Sequence, residues 1–257
     1  MGVDRREFLK IAGLSTLLGL GGKGALEVLS GKEAEASLQA EPQGGVRYAM
    51  VVDMRKCLER ENCHDCMEAC HREHNVPQME NPRHEIKWIW TEPYEHAFPG
   101  QGHEYTEERL LGKPFVVLCN HCDNPPCVRV CPTKATFRTP EGIVMMDFHR
   151  CIGCRFCMAG CPYGSRSFNW KDPRNYIREP NLDFPTRMRG VVEKCSFCAE
   201  RLVKGLPPAC VAACKEGALV FGNVRDPESD VRRVLRENFT IRRKPELGTL
   251  PQVYYIV

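Results

Sequence analysis

The chain has 257 residues, with 36 Lys and Arg against 33 Asp and Glu and a formal net charge of +3. Charge so close to balance gives no general drive toward nucleic acid or anionic lipid, and no uninterrupted apolar run approaches the ~20 residues of a membrane-spanning helix. The outlier is cysteine, sixteen residues of it, and without them the 42% hydrophobic share leaves a thin apolar core.

Residues 1–36 read as an address. Arg5-Arg6 is followed by Phe8-Leu9-Lys10, a mild apolar stretch over 11–22 and a small-x-small site at Ala34-Glu35-Ala36. A charged start, a short apolar run and such a site describe an export signal rather than a frayed amphipathic helix. The paired arginines resemble the twin-arginine type, a receptor-read address. That route carries folded proteins, so the mature chain is expected outside the cytoplasm with its cofactor already inserted.

A β-rich run over 48–53 leads into the first cysteine quartet, Cys57, Cys63, Cys66 and Cys70, spaced C-x5-C-x2-C-x3-C. The segment 71–112 is an insertion in which Trp88 and Trp90 alternate as packing residues. Its His84, His96 and His103 lack ligand spacing and are expected in solvated loops. A second run over 115–118 precedes Cys119, Cys122, Cys127 and Cys131, spaced C-x2-C-x4-C-x3-C-P. Runs over 136–138 and 143–147 flank Thr139-Pro140-Glu141-Gly142, which predicts a hairpin turn. The third quartet is Cys151, Cys154, Cys157 and Cys161. After a run over 190–193 come Cys195, Cys198, Cys210 and Cys214, then a strand over 218–221. Residues 227–238 predict one amphipathic helix with Val231, Val234 and Leu235 inward, and Arg232, Arg233, Arg242, Arg243 and Lys244 on a solvated face or a docking surface. The closing 253–257 predicts an edge strand or a partner contact.

Every quartet ends in C-x3-C and no cysteine is left over. The third, C-x2-C-x2-C-x3-C-P, is the bacterial ferredoxin run, in which three thiolates of one loop share a cubane and the fourth ligates the neighbouring cluster. Pro132 and Pro162, expected to turn the chain at a helix start, mark the second and third quartets as one kind. The first and fourth form the other. The predicted class is α+β, two nested bacterial dicluster ferredoxin-like modules with insertions. The outer module comprises 46–70 and 190–224, the inner one 113–170, and 225–257 is a C-terminal helix and tail.

Competing chemistries fit less well. A disulfide scaffold does not require four quartets with a common ending. Structural zinc wants separated C-x2-C knuckles, and the C-x-x-C-H string of c-type haem is absent. No nucleophile elbow, dinucleotide fingerprint or phosphate loop appears. Sixteen thiolates complete the ligand shell of four [4Fe–4S] clusters, which predicts electron transfer without a substrate site.

With the quartets placed, the chain resembles, over 46–224, the four-cluster iron–sulfur subunits that serve membrane oxidoreductases. The strings CNHCDNPPCVRVCPTKAT from Cys119, CIGCRFCMAGCPYGSRSFNW from Cys151 and EKCSFCAERL from Glu193, with HREHNVP from His71, are similar to the extracytoplasmic subunits of sulfite-reductase-associated, menaquinol-oxidising complexes. The resemblance implies a peripheral place on the extracytoplasmic face of the cell membrane within a hetero-oligomeric complex. It implies an integral quinone-interacting subunit and a multihaem cytochrome c as partners, and no nucleic acid. It also implies ligand sets: Cys57, Cys63, Cys66 with Cys214; Cys195, Cys198, Cys210 with Cys70; Cys119, Cys122, Cys127 with Cys161; Cys151, Cys154, Cys157 with Cys131. The five-residue gap after Cys57 departs from the usual two. The related alternative is an iron–sulfur subunit of a molybdopterin oxidoreductase.

Overall fold

The centre of the fold is β1 (Tyr48–Asp53), five of whose six residues are buried. The computed structural model describes residues 45–257, and the export signal expected over 1–36 lies outside them. β1 is the middle strand of a three-stranded sheet. It pairs antiparallel with β8 (Leu219–Asn223) and parallel with β9 (Val253–Ile256). Alternation along β1 sends its side chains to two faces. Met50 and Val52 join the main core, whereas Val51 packs with Ile256 under Val231 of α8 (Asp230–Glu237). Asp53 ends the strand and caps α1 (Met54–Glu59), accepting from the Arg55 N–H at 3.1 Å.

Strand, cysteine loop, short helix and strand then recur. The first quartet continues into α2 (Asp65–Glu73). After β2 (Ile89–Pro93) and α3 (Tyr94–Ala97), β3 (Pro114–Leu118) leads through the second quartet and α4 (Pro126–Arg129) to β4 (Thr136–Arg138). β5 (Val144–Met146), α5 (Phe156–Ala159) and β6 (Ser167–Phe168) carry the third quartet. β7 (Val192–Glu193), α6 (Ala199–Val203) and α7 (Ala209–Ala213) carry the fourth. β4 and β5 form the predicted hairpin, Thr136 opposite Met146. β2 pairs with β3 and β6 with β7, both antiparallel. α2 packs on α7, so helices of the first and fourth quartets meet.

The insertion is core rather than decoration. Trp88, Trp90, Tyr94, Phe98 and Phe115 sit in one buried cluster with Met50, Val52 and Tyr255. Phe98 meets Phe115 and Tyr255 edge-on at 5.6 and 5.0 Å, a favoured geometry for aromatic pairs. His96 and His103 are exposed as expected, His96 on α3 rather than in a loop, and His84 is half-buried in a 3-10 turn, Pro82–His84.

Three expectations are corrected. Pro132 and Pro162 do not open helices: α4 ends at Arg129 and α5 at Ala159, so each proline follows a helix that it cannot extend. The C-terminal helix starts at Asp230 behind its cap Ser229, with Pro227 outside it. Arg243 is not on a solvated face. It is 2% exposed and donates to Glu92 Oε2 and Ala97 O, both at 3.0 Å, while Arg242 and Lys244 are half-buried. Arg232 and Arg233 do face solvent. The tail after α8 is a strap: Lys244 Nζ donates to Pro162 O, the Asp123 and Asn124 N–H groups donate to Leu250 O and Thr249 O, and β9 closes the sheet. No helix among the described residues is long and apolar enough to cross a membrane.

Candidate metal centres

None of the sixteen cysteines is disulfide-bonded. The fold gathers them across quartets. Cys57, Cys63, Cys66 and Cys214 line one cavity, together with Val116 of β3 and Leu219 of β8. Cys119, Cys122, Cys127 and Cys161 line another. Cys70, fully enclosed, lies among Cys195, Cys198 and Cys210, because α2 and α7 are in contact. Around the third quartet, Cys157 lies beside Cys151 and Cys127, while Cys154 is exposed. Cys131 Sγ faces the Thr133 hydroxyl at 3.7 Å and nearby backbone N–H groups.

Burial pushes the Cys57, Cys66 and Cys70 thiols up, and neighbouring thiols add to it. Cys57 rises to about 11, Cys66 to about 12, and Cys70 well above the ordinary thiol range. At Cys195 burial dominates and leaves the thiol at about 12 against the opposing pull of Lys194. Such groups become thiolates only with a metal partner, so metal binding and folding are coupled. A tetrahedral zinc with Zn–S of about 2.3 Å needs its sulfurs roughly 3.8 Å apart. Among the described residues no three thiols lie within 4.8 Å of one another. The wider grouping suits a cubane, which holds its thiolates on four separate irons.

The surroundings fit such a group. Backbone N–H groups of Phe197, Ala209 and Ala218 point at the sulfurs of Cys195, Cys198 and Cys214 at 3.3–3.4 Å. Arg166 Nη2 lies 3.1 Å from Cys127 Sγ. Asn120 Nδ2 and Oδ1, His121 Nε2 and Ser196 Oγ are buried without protein partners. All belong to the dipeptides between the leading cysteines of the second and fourth quartets, where cluster sulfur would accept hydrogens from Asn120 Nδ2, His121 Nε2 and Ser196 Oγ. Phe197, Cys198 and His121 have positive φ of 52°, 51° and 41°, the backbone strain of a loop wrapped around something.

Two features behind the loops escaped sequence reasoning. His74 stacks on Trp88 at 4.4 Å and bridges Cys70 O at 2.9 Å to Glu200 Oε1 at 2.8 Å, bracing the first quartet on the fourth. With Cys198 it forms a compact ligand-type trio, yet both its ring nitrogens are already engaged. Fully buried Glu193 receives Arg187 Nη2 at 2.6 Å, Trp88 Nε1 at 2.9 Å and Asn169 Nδ2 at 2.6 Å. The available signal was weak: a Glu-Lys pair inside an otherwise apolar approach to Cys195.

Comparison with known proteins agrees with this chemistry. The 4Fe-4S dicluster domain matches residues 113–175 and 181–224. The chain is 38% identical to the Hdr-like menaquinol oxidoreductase iron-sulfur subunit 1 of Archaeoglobus fulgidus, over 98% of this chain and 97% of that protein. It is 36% identical to the menaquinone reductase iron-sulfur cluster-binding subunit of Nitratidesulfovibrio vulgaris, over 82% of this chain and 89% of that one. Against a tetrathionate reductase subunit of Salmonella typhimurium it is 33% identical, over 100% of this chain and 89% of that one. The chain belongs to the 4Fe–4S dicluster family of oxidoreductase iron–sulfur subunits.

Proposed function

We propose that this member of the dicluster family carries four [4Fe–4S] clusters as a wire in a quinone-linked sulfur-respiration complex and catalyses nothing alone. The observation that carries the reading is the order in which thiol groups adjoin. Cys70 is within electrostatic reach of Cys66, Cys195 of Cys119, and Cys157 of Cys127. This supports the ligand sets Cys57, Cys63, Cys66, Cys214; then Cys70, Cys195, Cys198, Cys210; then Cys119, Cys122, Cys127, Cys161; then Cys131, Cys151, Cys154, Cys157. In that order both ends approach solvent, through Cys57 and Cys63 at one and exposed Cys154 at the other, and the middle is buried.

Bound there, the clusters would supply one-electron sites whose potentials fall anywhere from about −700 to +450 mV, depending on hydrogen bonds and exposure. The protein's part is to space the thiolates, exclude water from the two central sets and present the ends to partners. The β1–β8 pairing and the α2–α7 contact support an outer module of 46–70 and 190–224 enclosing an inner one of 113–170, with the insertion 71–112 packed on both. The partners we propose are an integral quinone-interacting subunit and a multihaem cytochrome c. The twin-arginine motif supports a place on the extracytoplasmic membrane face.

Purified protein is expected to hold about sixteen irons per chain, four for each cubane, with EPR signals of four reduced clusters. Cys57→Ala should remove or convert one cluster and leave three. Four unaltered clusters in that variant would remove Cys57 from the first set. A second reading, service to a molybdopterin reductase, is favoured by the full-length likeness to a subunit of tetrathionate reductase. Isolation of the native complex separates the two: haem c without molybdenum supports the first reading, and molybdenum the second.

A further inference from the structure

A buried cation needs an anion beside it. Three buried arginines have one: Arg47 pairs with Asp123 at 2.8 Å, Arg187 with Glu193 at 2.6 Å, and Arg243 with Glu92 at 3.0 Å. Two further buried cations have no carboxylate partner among the described residues. Arg166, 4% exposed, reaches Thr136 Oγ1 at 3.1 Å, Met146 Sδ at 3.7 Å and Cys127 Sγ at 3.1 Å, with the Cys157 thiol also beside it. Lys194, 2% exposed, donates only to the carbonyls of Val144 and Cys195.

The sheet makes this arrangement harder to explain as packing. Ser167 of β6 stands opposite Glu193 of β7 in an antiparallel ladder, and continuing the register by one residue sets Arg166 across from Lys194. Like charges directly opposite one another are destabilising. The ring between them gives no relief: His121 is fully buried, stacks on Phe197 at 3.6 Å, and accepts the Val144 N–H at Nδ1, so it stands as the neutral Nε2–H form. A neutral thiol is a weak acceptor and a poor reason to hold a guanidinium 3.1 Å from Cys127 Sγ. An anionic, thiolate-bound cluster on each side resolves the conflict.

We propose that Arg166 and Lys194 are the built-in counter-charges of the two central clusters, Arg166 for the one bound through Cys127 and Lys194 for the one bound through Cys195. The proposal rests on the ligand sets given above. Reduction adds one electron, and so one negative charge, to a cluster whose thiolates stay bound; no proton is required. A fixed cation stabilises that extra charge more than the oxidised form, so each residue holds its own cluster's potential up.

The test is an EPR-monitored redox titration of the iron-loaded full-length protein, wild type against Arg166→Gln, Arg166→Lys and Lys194→Gln. Arg166→Gln should shift one of the four reduction equilibria toward the oxidised form by about tenfold, which is about 59 mV for a one-electron couple. The shifted cluster should be the one whose signal Cys127→Ser alters. Arg166→Lys, which keeps the charge, should shift it by less than half as much, and Lys194→Gln should move a different cluster. Unchanged potentials with full iron content would overturn the counter-charge role and leave the ligand sets standing. Equal shifts in the Gln and Lys variants of Arg166 would assign the effect to packing and also overturn it. A shift confined to a cluster that neither Cys127→Ser nor Cys157→Ser alters would overturn the ligand sets themselves. Loss of all iron in every variant would make both residues structural and end the tuning role.

Discussion

Glu193→Gln removes one charge from the interior without changing its shape. In the native chain the carboxylate takes three donors, and its guanidinium partner Arg187 is completely buried beside it. A glutamine oxygen can keep Trp88 or Asn169, but Arg187 is then left with the backbone carbonyls of His74, Asn75 and Pro185. Losing a hydrogen bond to a charged group costs about 1.5–3 kcal/mol, and stranding the buried partner raises this toward about 3–5 kcal/mol. For a chain of this size each kcal/mol lowers Tm by roughly 2–4 °C, so a fall of roughly 6–20 °C is expected. The assay is bleaching of the cluster absorbance at a fixed heating rate, because loss of iron makes unfolding irreversible. Arg187→Met should be similarly damaging. The double variant should cost clearly less than the two singles together, since neither charge is then stranded. A Glu193→Gln protein that melts with wild type, or singles that simply add, would refute the idea that this pair carries the junction between insertion and cluster loops.

Two further substitutions probe corrected or unforeseen contacts. Gly153 has φ +69°, and a Cβ there would lie 2.4 Å from Gly190 O, whereas Gly164, at φ +66°, has open space around it. Both alanine variants incur the left-handed cost of about 1–2 kcal/mol, but Gly153→Ala must also displace backbone and should melt lower; equal melting would show that the close approach does not matter. Arg243→Met should cost about 1.5–3 kcal/mol, the loss of a charged hydrogen bond, while Arg233→Met on the exposed face of α8 should stay within about 0.5 kcal/mol; equal thermal shifts would contradict the burial of Arg243.

What could be read from the sequence was whatever local geometry decides. β1 and β4 fall on the predicted residues because a short β-rich run and the Thr139–Gly142 turn are local signals. The quartets were legible for the same reason, since three ligands of a cubane must come from one loop. Which thiols meet across quartets depends on β1 pairing with β8 and α2 packing on α7, contacts that no short window contains. Arg243 was misplaced because its partners, Glu92 and Ala97, lie 151 and 146 residues away. Counted in sequence, it looked like one more surface arginine beside Arg232 and Arg233.

The opening charge balance hides the same division. A net +3 counts every Lys and Arg but none of the sixteen thiolates that cluster binding would create. Most of those negative charges belong to the interior, and so do Arg166 and Lys194, which no carboxylate neutralises among the described residues. Without iron the chain must hold two buried cations and a set of thiols pushed up by burial in one small interior. With iron each group finds its opposite. The apolar core around Trp88, Phe98 and Phe115 can fold the insertion onto β3, but the halves built on β4 to β7 have little else to hold them. Four-residue helices and two- or three-residue strands are too short to stand alone. Cluster insertion is therefore part of folding here rather than a step after it.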